Sequence, residues 1–182
     1  MRKIIFAINT TINENVDHTV GISDDELHNF YTDLLNSVDV VLMGRITYQL
    51  MESFWPVAHK APQSTQSIMR FADKYNSIKK IIFSETLKEV KWQNSQLADR
   101  NLQEIISELK NQDGKNISAG SLSIALQLLK LDLIDEFWIA VHPFVAEKGP
   151  RLFEGIDVIK KLKLVDSKTL SSGVVFHHYL NI

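Results

Sequence analysis

Val38-Asp39-Val40-Val41-Leu42-Met43-Gly44-Arg45-Ile46-Thr47-Tyr48 is the stretch whose reading decides the fold. Val40 to Met43 is a short apolar run with β-branched residues, long enough for a buried strand and too short for a helix. Gly44 breaks the run, and Arg45 and Thr47 follow at once on a segment, Ile46 to Ser53, that reads as helix. Strand, glycine, cation and hydroxyl at a helix start make an anion seat. The helix N-terminus offers unpaired N–H groups and positive dipole, and glycine lets an oxygen approach the backbone. A buried strand, a turn glycine and an arginine in solvent is the competing reading, because short glycine motifs recur by chance.

Working outward, strands and helices alternate. Lys3 to Ile8 reads as a buried first strand, and Asn9 to Asn15 as a polar loop leaving its C-terminal end. Ser23-Asp24-Asp25-Glu26 spells a capping box with Ser23 as N-cap. Leu27, Phe30, Tyr31, Leu34 and Leu35 then continue at helical spacing. Phe54-Trp55-Pro56 stops the helix after Gly44, and a polar loop runs to about Gln63. Ile68, Phe71, Ala72 and Tyr75 mark another helix. Lys79 to Phe83 is a third strand, with a short extended piece expected at Val90-Lys91-Trp92. Leu102, Ile105, Ile106 and Leu109 give a helix ending at Asp113-Gly114. Asn116 to Ala119 is a strand, followed by Gly120-Ser121 and a helix carrying Leu122, Ala125, Leu126 and Leu129. Glu136 to His142 is a fifth strand. Lys163 to Leu170 and Val174 to Leu180, joined by Ser171-Ser172-Gly173, read as a hairpin. The pattern predicts an α/β fold with a mostly parallel central sheet and a C-terminal antiparallel hairpin at one edge.

The totals narrow the function classes. A chain of 182 residues fits one domain, 1–182, with a full core. Twenty basic against 22 acidic residues give a net charge of -2, so no global basic field invites nucleic acid. With no cysteine there is no thiolate nucleophile, disulfide framework or cysteine-held zinc. The six histidines are scattered, and the adjacent His177 and His178 point to opposite faces of a strand, so no metal site is expected. The N-terminal apolar run is too short for a signal peptide core, and no segment could span a membrane. A cytoplasmic protein is the expectation.

Ligands of open α/β sheets bind outside the carboxyl ends of the strands. Three strand ends here suit phosphate: Gly44-Arg45-Ile46-Thr47, Ser84-Glu85-Thr86 and Gly120-Ser121. Three on one edge favour a nucleotide. No G-x-G-x-x-G follows the first strand, no phosphate-loop motif occurs, and there is no serine-hydrolase elbow. A dinucleotide held by separate strand ends meets the same electrostatic need.

With these pieces in order, the chain resembles the dihydrofolate reductase-like superfamily. Within it, the chain is similar to stand-alone relatives of the reductase domain of the bifunctional riboflavin-biosynthesis deaminase/reductase. The pieces are Val41 to Tyr48, Phe54-Trp55-Pro56, Lys80 to Leu87, Ser118-Ala119-Gly120-Ser121, Leu133 to Glu136, His142-Pro143 with Gly149 to Phe153, and Ser172 to Val175. The resemblance implies a three-layer fold, NADPH as cofactor and, in many members, a homodimer. It would put Arg45 and Thr47 on cofactor phosphates, with Gly44 giving the close approach, and Ser84 and Glu85 by the adenosine ribose. Gly120 and Ser121 would cradle the pyrophosphate, and Ala7 and Ile12 would flank the nicotinamide. Trp55 and His142 are the candidates for the substrate cleft; core packing explains each as well. The zinc deaminase half, which needs cysteine ligands, has no counterpart here.

The chain departs from the family pattern at two places. The usual first-loop Ser-Leu-Asp-Gly is Thr11-Ile12-Asn13-Glu14 here, and the residue after Ser84, often basic in relatives, is Glu85. The leading expectation is an NADPH-dependent oxidoreductase acting on a small heterocyclic (pterin- or pyrimidine-like) or carbonyl substrate, with no catalytic acid assigned. The altered first loop supports a rival, a non-catalytic nucleotide-binding or regulatory protein that keeps the crevice. A flavodoxin-like flavin binder is a third option.

Overall fold

The computed structural model describes the whole chain, Met1–Ile182. Eight strands form one sheet: β1 (Ile4–Thr11), β2 (Val38–Gly44), β3 (Lys79–Phe83), β4 (Ser95–Leu97), β5 (Asn116–Ala119), β6 (Glu136–His142), β7 (Leu162–Thr169) and β8 (Val175–Asn181). Their spatial order is β4-β3-β2-β5-β1-β6-β8-β7. The six from β4 to β6 run parallel, and β8 and β7 close that edge as an antiparallel hairpin. Five α-helices lie between them: α1 (Asp25–Leu35), α2 (Arg45–Glu52), α3 (Gln66–Ser77), α4 (Leu102–Asn111) and α5 (Leu122–Lys130).

Period-two alternation sorts the strand residues between two apolar layers. Ile4, Phe6, Val40, Leu42, Ile81 and Ile117 meet α4 and α5 through Ile105, Ile106, Ile124 and Leu128. Ile5, Val41, Met43 and Ile82 face the other way, onto Leu35, Phe71 and Tyr75 of α1 and α3. Most of these strand positions carry apolar residues on both faces, as a sheet covered on both sides requires. The hairpin is covered too. Val174 and Phe176 are buried, and Phe30 of α1 stacks on Phe176 with ring centroids 3.6 Å apart.

Several local expectations are corrected. The N-cap of α1 is Asp24, whose carboxylate accepts from the Leu27 N–H; Ser23 lies one residue outside. Glu26 accepts instead from the Ser171 backbone N–H and hydroxyl, both at 2.8 Å, and so ties α1 to the hairpin turn. Pro56 opens a short 3-10 helix, Trp55–Lys60, where a loop was expected. The extended piece lies at Ser95–Leu97; Trp92 is instead buried, donating to Asn76 Oδ1 at 2.6 Å. Helix α2 begins at Arg45, one residue early, so Gly44 is both strand end and N-cap.

Candidate nucleotide cleft and strand-end site

All six parallel strands point their carboxyl ends to one edge, and there the ends of β2 and β3 with helices α2, α4 and α5 bound a cleft of about 630 Å³. Gly44, Arg45 and Thr47 line it from β2 and α2, and Ser84, Glu85 and Thr86 from the end of β3. Arg100, Asn101, Ser123 and Gln127 complete the wall. Two of the three strand ends singled out in the sequence thus share the cleft directly. The third borders it through a hydrogen bond: the Gly44 N–H donates to the Ser121 hydroxyl at 2.9 Å.

The cleft's electrostatics follow from how its helices begin. Helices α1, α3 and α4 are each capped by a side chain, from Asp24, Thr65 and Asn101. Helices α2 and α5, whose N-termini meet here, have none. The Ser121 hydroxyl, which could have capped α5, is turned to Gly44. Uncapped first-turn N–H groups and two dipole ends leave this corner suited to an anion. Both glycines sit where a side chain would crowd a neighbour. A Cβ on Gly44 would lie 2.6 Å from Ser123 Oγ, and one on Gly120 would lie 2.4 Å from Val41 Cγ1. Arg45 is exposed, touches only Gln49 Oε1 at 3.2 Å, and has no carboxylate partner. Arg100 is held by Glu108 at 2.6 Å and Asp99 at 3.3 Å, so much of its charge is already answered. Glu85 is exposed, and Ser84 is spent on its own turn, accepting from the Thr86 and Leu87 N–H groups.

The other four candidates lie elsewhere. Ile12 is 63% exposed and lines a separate hollow of about 300 Å³ with Thr10, Glu14, His177 and Tyr179. Ala7 is half-buried on the α1 side of β1. Trp55 packs on Phe71 at 4.5 Å and edge-on to His28 at 6.2 Å. His142 is 1% exposed at the end of β6. Its Nδ1 accepts from the Ile22 N–H at 3.0 Å and its Nε2 lies 3.1 Å from Asn9 Oδ1. Burial pushes the imidazole pKa below its usual range, against a smaller opposing pull from Asp24.

The first loop is zipped to the segment after β6. Asn13 donates to the Ala146 carbonyl at 2.7 Å and accepts from the Ala146 N–H at 3.0 Å, a pairing that needs an amide and that a carboxylate could not complete. Glu14 keeps the tight turn at φ 66, in the left-handed region glycine prefers. No three His, Cys, Asp or Glu side chains come together as a metal site, and no helix is long and apolar enough to cross a membrane. Arg100, Asn101, Ser123 and Gln127 were not singled out from sequence. Arg100, Asn101 and Ser123 are marked only by their place at the starts of two helices, and Gln127 lies one turn beyond Ser123 on α5.

A sheet layered by helices on both faces, with its parallel strand ends gathered at one edge and a closing antiparallel hairpin, defines a dihydrofolate reductase-like fold. The structure is similar to dihydrofolate reductase from Enterococcus faecalis complexed with NADP(H), with a TM-score of 0.65, 10% identity, and coverage of 98% of this chain and 96% of that one. It is similar also to a putative riboflavin biosynthesis protein from Shewanella sp. PV-4, with a TM-score of 0.76, 19% identity, and coverage of 100% and 99%. In sequence, the uncharacterized protein YyaP of Bacillus subtilis (strain 168) is 31% identical over 180 residues, 96% of this chain and 92% of that protein. The model of the RibD C-terminal domain matches residues 10–176. The chain belongs to that family.

Proposed function

We propose that the chain is an NADPH-dependent reductase of a small heterocyclic (pterin- or pyrimidine-like) or carbonyl substrate. One observation carries it: two uncapped helix N-termini and the unpaired cation of Arg45 converge on a cleft at the carboxyl edge of the parallel strands. Arg45 and Thr47 would hold phosphate oxygens, and Gly120 with the start of α5 would hold the pyrophosphate. Ser84 and Glu85 would lie by the adenosine ribose, and Ala7 and Ile12 toward the nicotinamide. The chemistry NADPH supplies when bound is a hydride; the protein's share is binding, orientation and exclusion of water.

A second reading, a nucleotide-binding protein without turnover, is favoured by the first loop, where Asn13 is committed to Ala146. One assay separates the two. Loss of the reduced-nicotinamide absorbance with a panel of pterins, quinones and aldehydes supports the reductase. Tight NADPH binding with no turnover across the panel supports the second reading, and failure to bind NADPH overturns both. Assembly as a homodimer is part of the proposal. The edge strand β7 exposes Leu164 and Val165, and Phe153 opens beside the smaller hollow, leaving apolar surface for a second copy. Sedimentation at micromolar concentration giving only the 20.8 kDa chain would refute it.

A further inference from the structure

Asn9 sits near the end of β1, on the strand face that Ile5 and Ala7 share, and it is exposed although β1 is a central strand. Two donors meet at its side-chain oxygen. The Tyr31 hydroxyl of α1 donates to Oδ1 at 2.9 Å, and His142 Nε2 approaches Oδ1 at 3.1 Å. The direction of the second bond is fixed by the far side of the ring. Because the Ile22 N–H donates to His142 Nδ1, that nitrogen carries no proton, and a neutral imidazole then carries its proton on Nε2. Gly21 packs closely against this ring. It lies at φ 153, and a Cβ there would stand 3.2 Å from the ring nitrogen.

An inverted Asn9 amide would set its NH2 against the Nε2–H, donor against donor. The network therefore leaves one orientation, in which Oδ1 is filled and Nδ2 is free: it makes no hydrogen bond within the chain. A pinned amide donor, presented to open space at the carboxyl edge of the sheet, is costly to leave unpaired once a ligand excludes water.

We propose that Asn9 is a specificity-determining residue of the substrate site. Its Nδ2–H donates to a hydrogen-bond acceptor of the substrate, a ring carbonyl oxygen or an unprotonated ring nitrogen, and disfavours substrates that present an N–H there. Tyr31 and His142 are positioning residues acting through Asn9. The substrate class rests on the reductase proposal; the direction of the hydrogen bond does not. Asn9→Asp is the informative swap. A carboxylate still accepts from Tyr31 and His142, while the outward atom changes from donor to acceptor.

The probe is caffeine, a bicyclic heterocycle with two carbonyl acceptors and no N–H donor. It is titrated into protein saturated with NADP+, with the Asn9 side-chain amide followed by NMR and assigned by its disappearance in Asn9→Asp. Caffeine is expected to move that amide pair, to bind Asn9→Asp at least about tenfold more weakly, and to bind the uncharged Asn9→Leu roughly three- to tenfold more weakly, the scale of one lost hydrogen bond. An unmoved amide pair, or caffeine binding that neither substitution changes, overturns the inference while leaving the nucleotide cleft standing. NADP+ affinity is measured in parallel by calorimetry. If the protein does not bind NADP+, the reductase proposal falls, and the same caffeine titration on the protein alone decides the role of Asn9 by the same two readouts.

Discussion

Replacing Arg45 with alanine removes the one cation of the strand-end cleft that no carboxylate already answers. Its guanidinium touches only the neutral Gln49, whereas Arg100 across the cleft is paired to Asp99 and Glu108. Opposite charges at hydrogen-bond range attract by about 1–4 kcal/mol, from a water-like to a protein-surface dielectric. Arg45 is exposed, so the lower half of that range applies, about 1–2 kcal/mol, or roughly a 5–30-fold rise in the NADPH dissociation constant. Solvent-exposed pairs are screened, so the loss should shrink as salt rises from tens to hundreds of millimolar. Folding should hardly change, because the side chain buries nothing. Titration calorimetry at two salt concentrations, with urea unfolding as control, measures all three quantities. A dissociation constant within twofold of the parent at low salt, in a folded variant, would refute the assignment of Arg45 to a cofactor phosphate.

Glu85 shares that cleft with Arg45, so NADPH should be preferred over NADH only modestly, by about tenfold. Glu85→Arg should widen the ratio by tightening NADPH alone, and an unchanged ratio would mean that Glu85 is not beside the ribose. Gly120→Ala forces a Cβ to 2.4 Å from Val41 Cγ1 and 3.2 Å from the Leu42 carbonyl, so about 1–3 kcal/mol of stability should be lost in urea unfolding, and a neutral result would show that β2 and β5 can spread. Lys80 is fully buried, its Nζ donating to the Ile78 carbonyl at 2.8 Å over the Trp92 ring, and burial pushes its pKa from 10.5 down to about 8. Between those values the unfolded chain holds a proton that the native chain has shed, so this group makes stability rise with pH across that window and its contribution is lost as pH falls through about 8. The unfolding free energy of the parent minus that of Lys80→Met should therefore become more positive from pH 8 toward 10, and a constant difference would refute the shift.

Physical scale separates what could be read in the sequence from what could not. Strands β3, β5 and β6 were legible to the residue, because β3 and β6 are largely apolar runs and β5 alternates polar with apolar, each bounded by a turn residue or by a change of period. Strand β4 was not. It has three residues, Ser95-Gln96-Leu97, with no alternation of its own, and it exists only because Lys80, Ile81 and Ile82 supply a parallel edge to pair with. The cap of α1 fails in sequence for a related reason. Ser23 and Asp24 are both good N-caps, and the choice is made elsewhere, since Glu26 is drawn away to Ser171, 145 residues along the chain. Lys80 shows the limit of patterning: its position reads as strand either way, and only the carbonyls of Asn76, Ile78 and Gln93 make a buried ammonium tolerable.

The cleft was legible for a reason that the Asn9 cluster could not share. Parallel strands send every carboxyl end to the same edge, so three local motifs imply one site without any knowledge of strand order. Placing β5 between β2 and β1 then adds what sequence lacked, the bond from Gly44 to Ser121 that turns the serine from a helix cap into a strut and leaves α5 open to an anion. Asn9, Tyr31 and His142 have no local signature at all: they are separated by 22 and 133 residues and meet only through the register of β1 with β6 and the packing of α1. In sequence Asn9 is a polar residue where a strand gives way to a loop. The orientation of its amide is settled by a backbone N–H on another loop. If Asn9 reads the substrate as proposed, specificity resides here in a residue that the strand-end motifs do not reach.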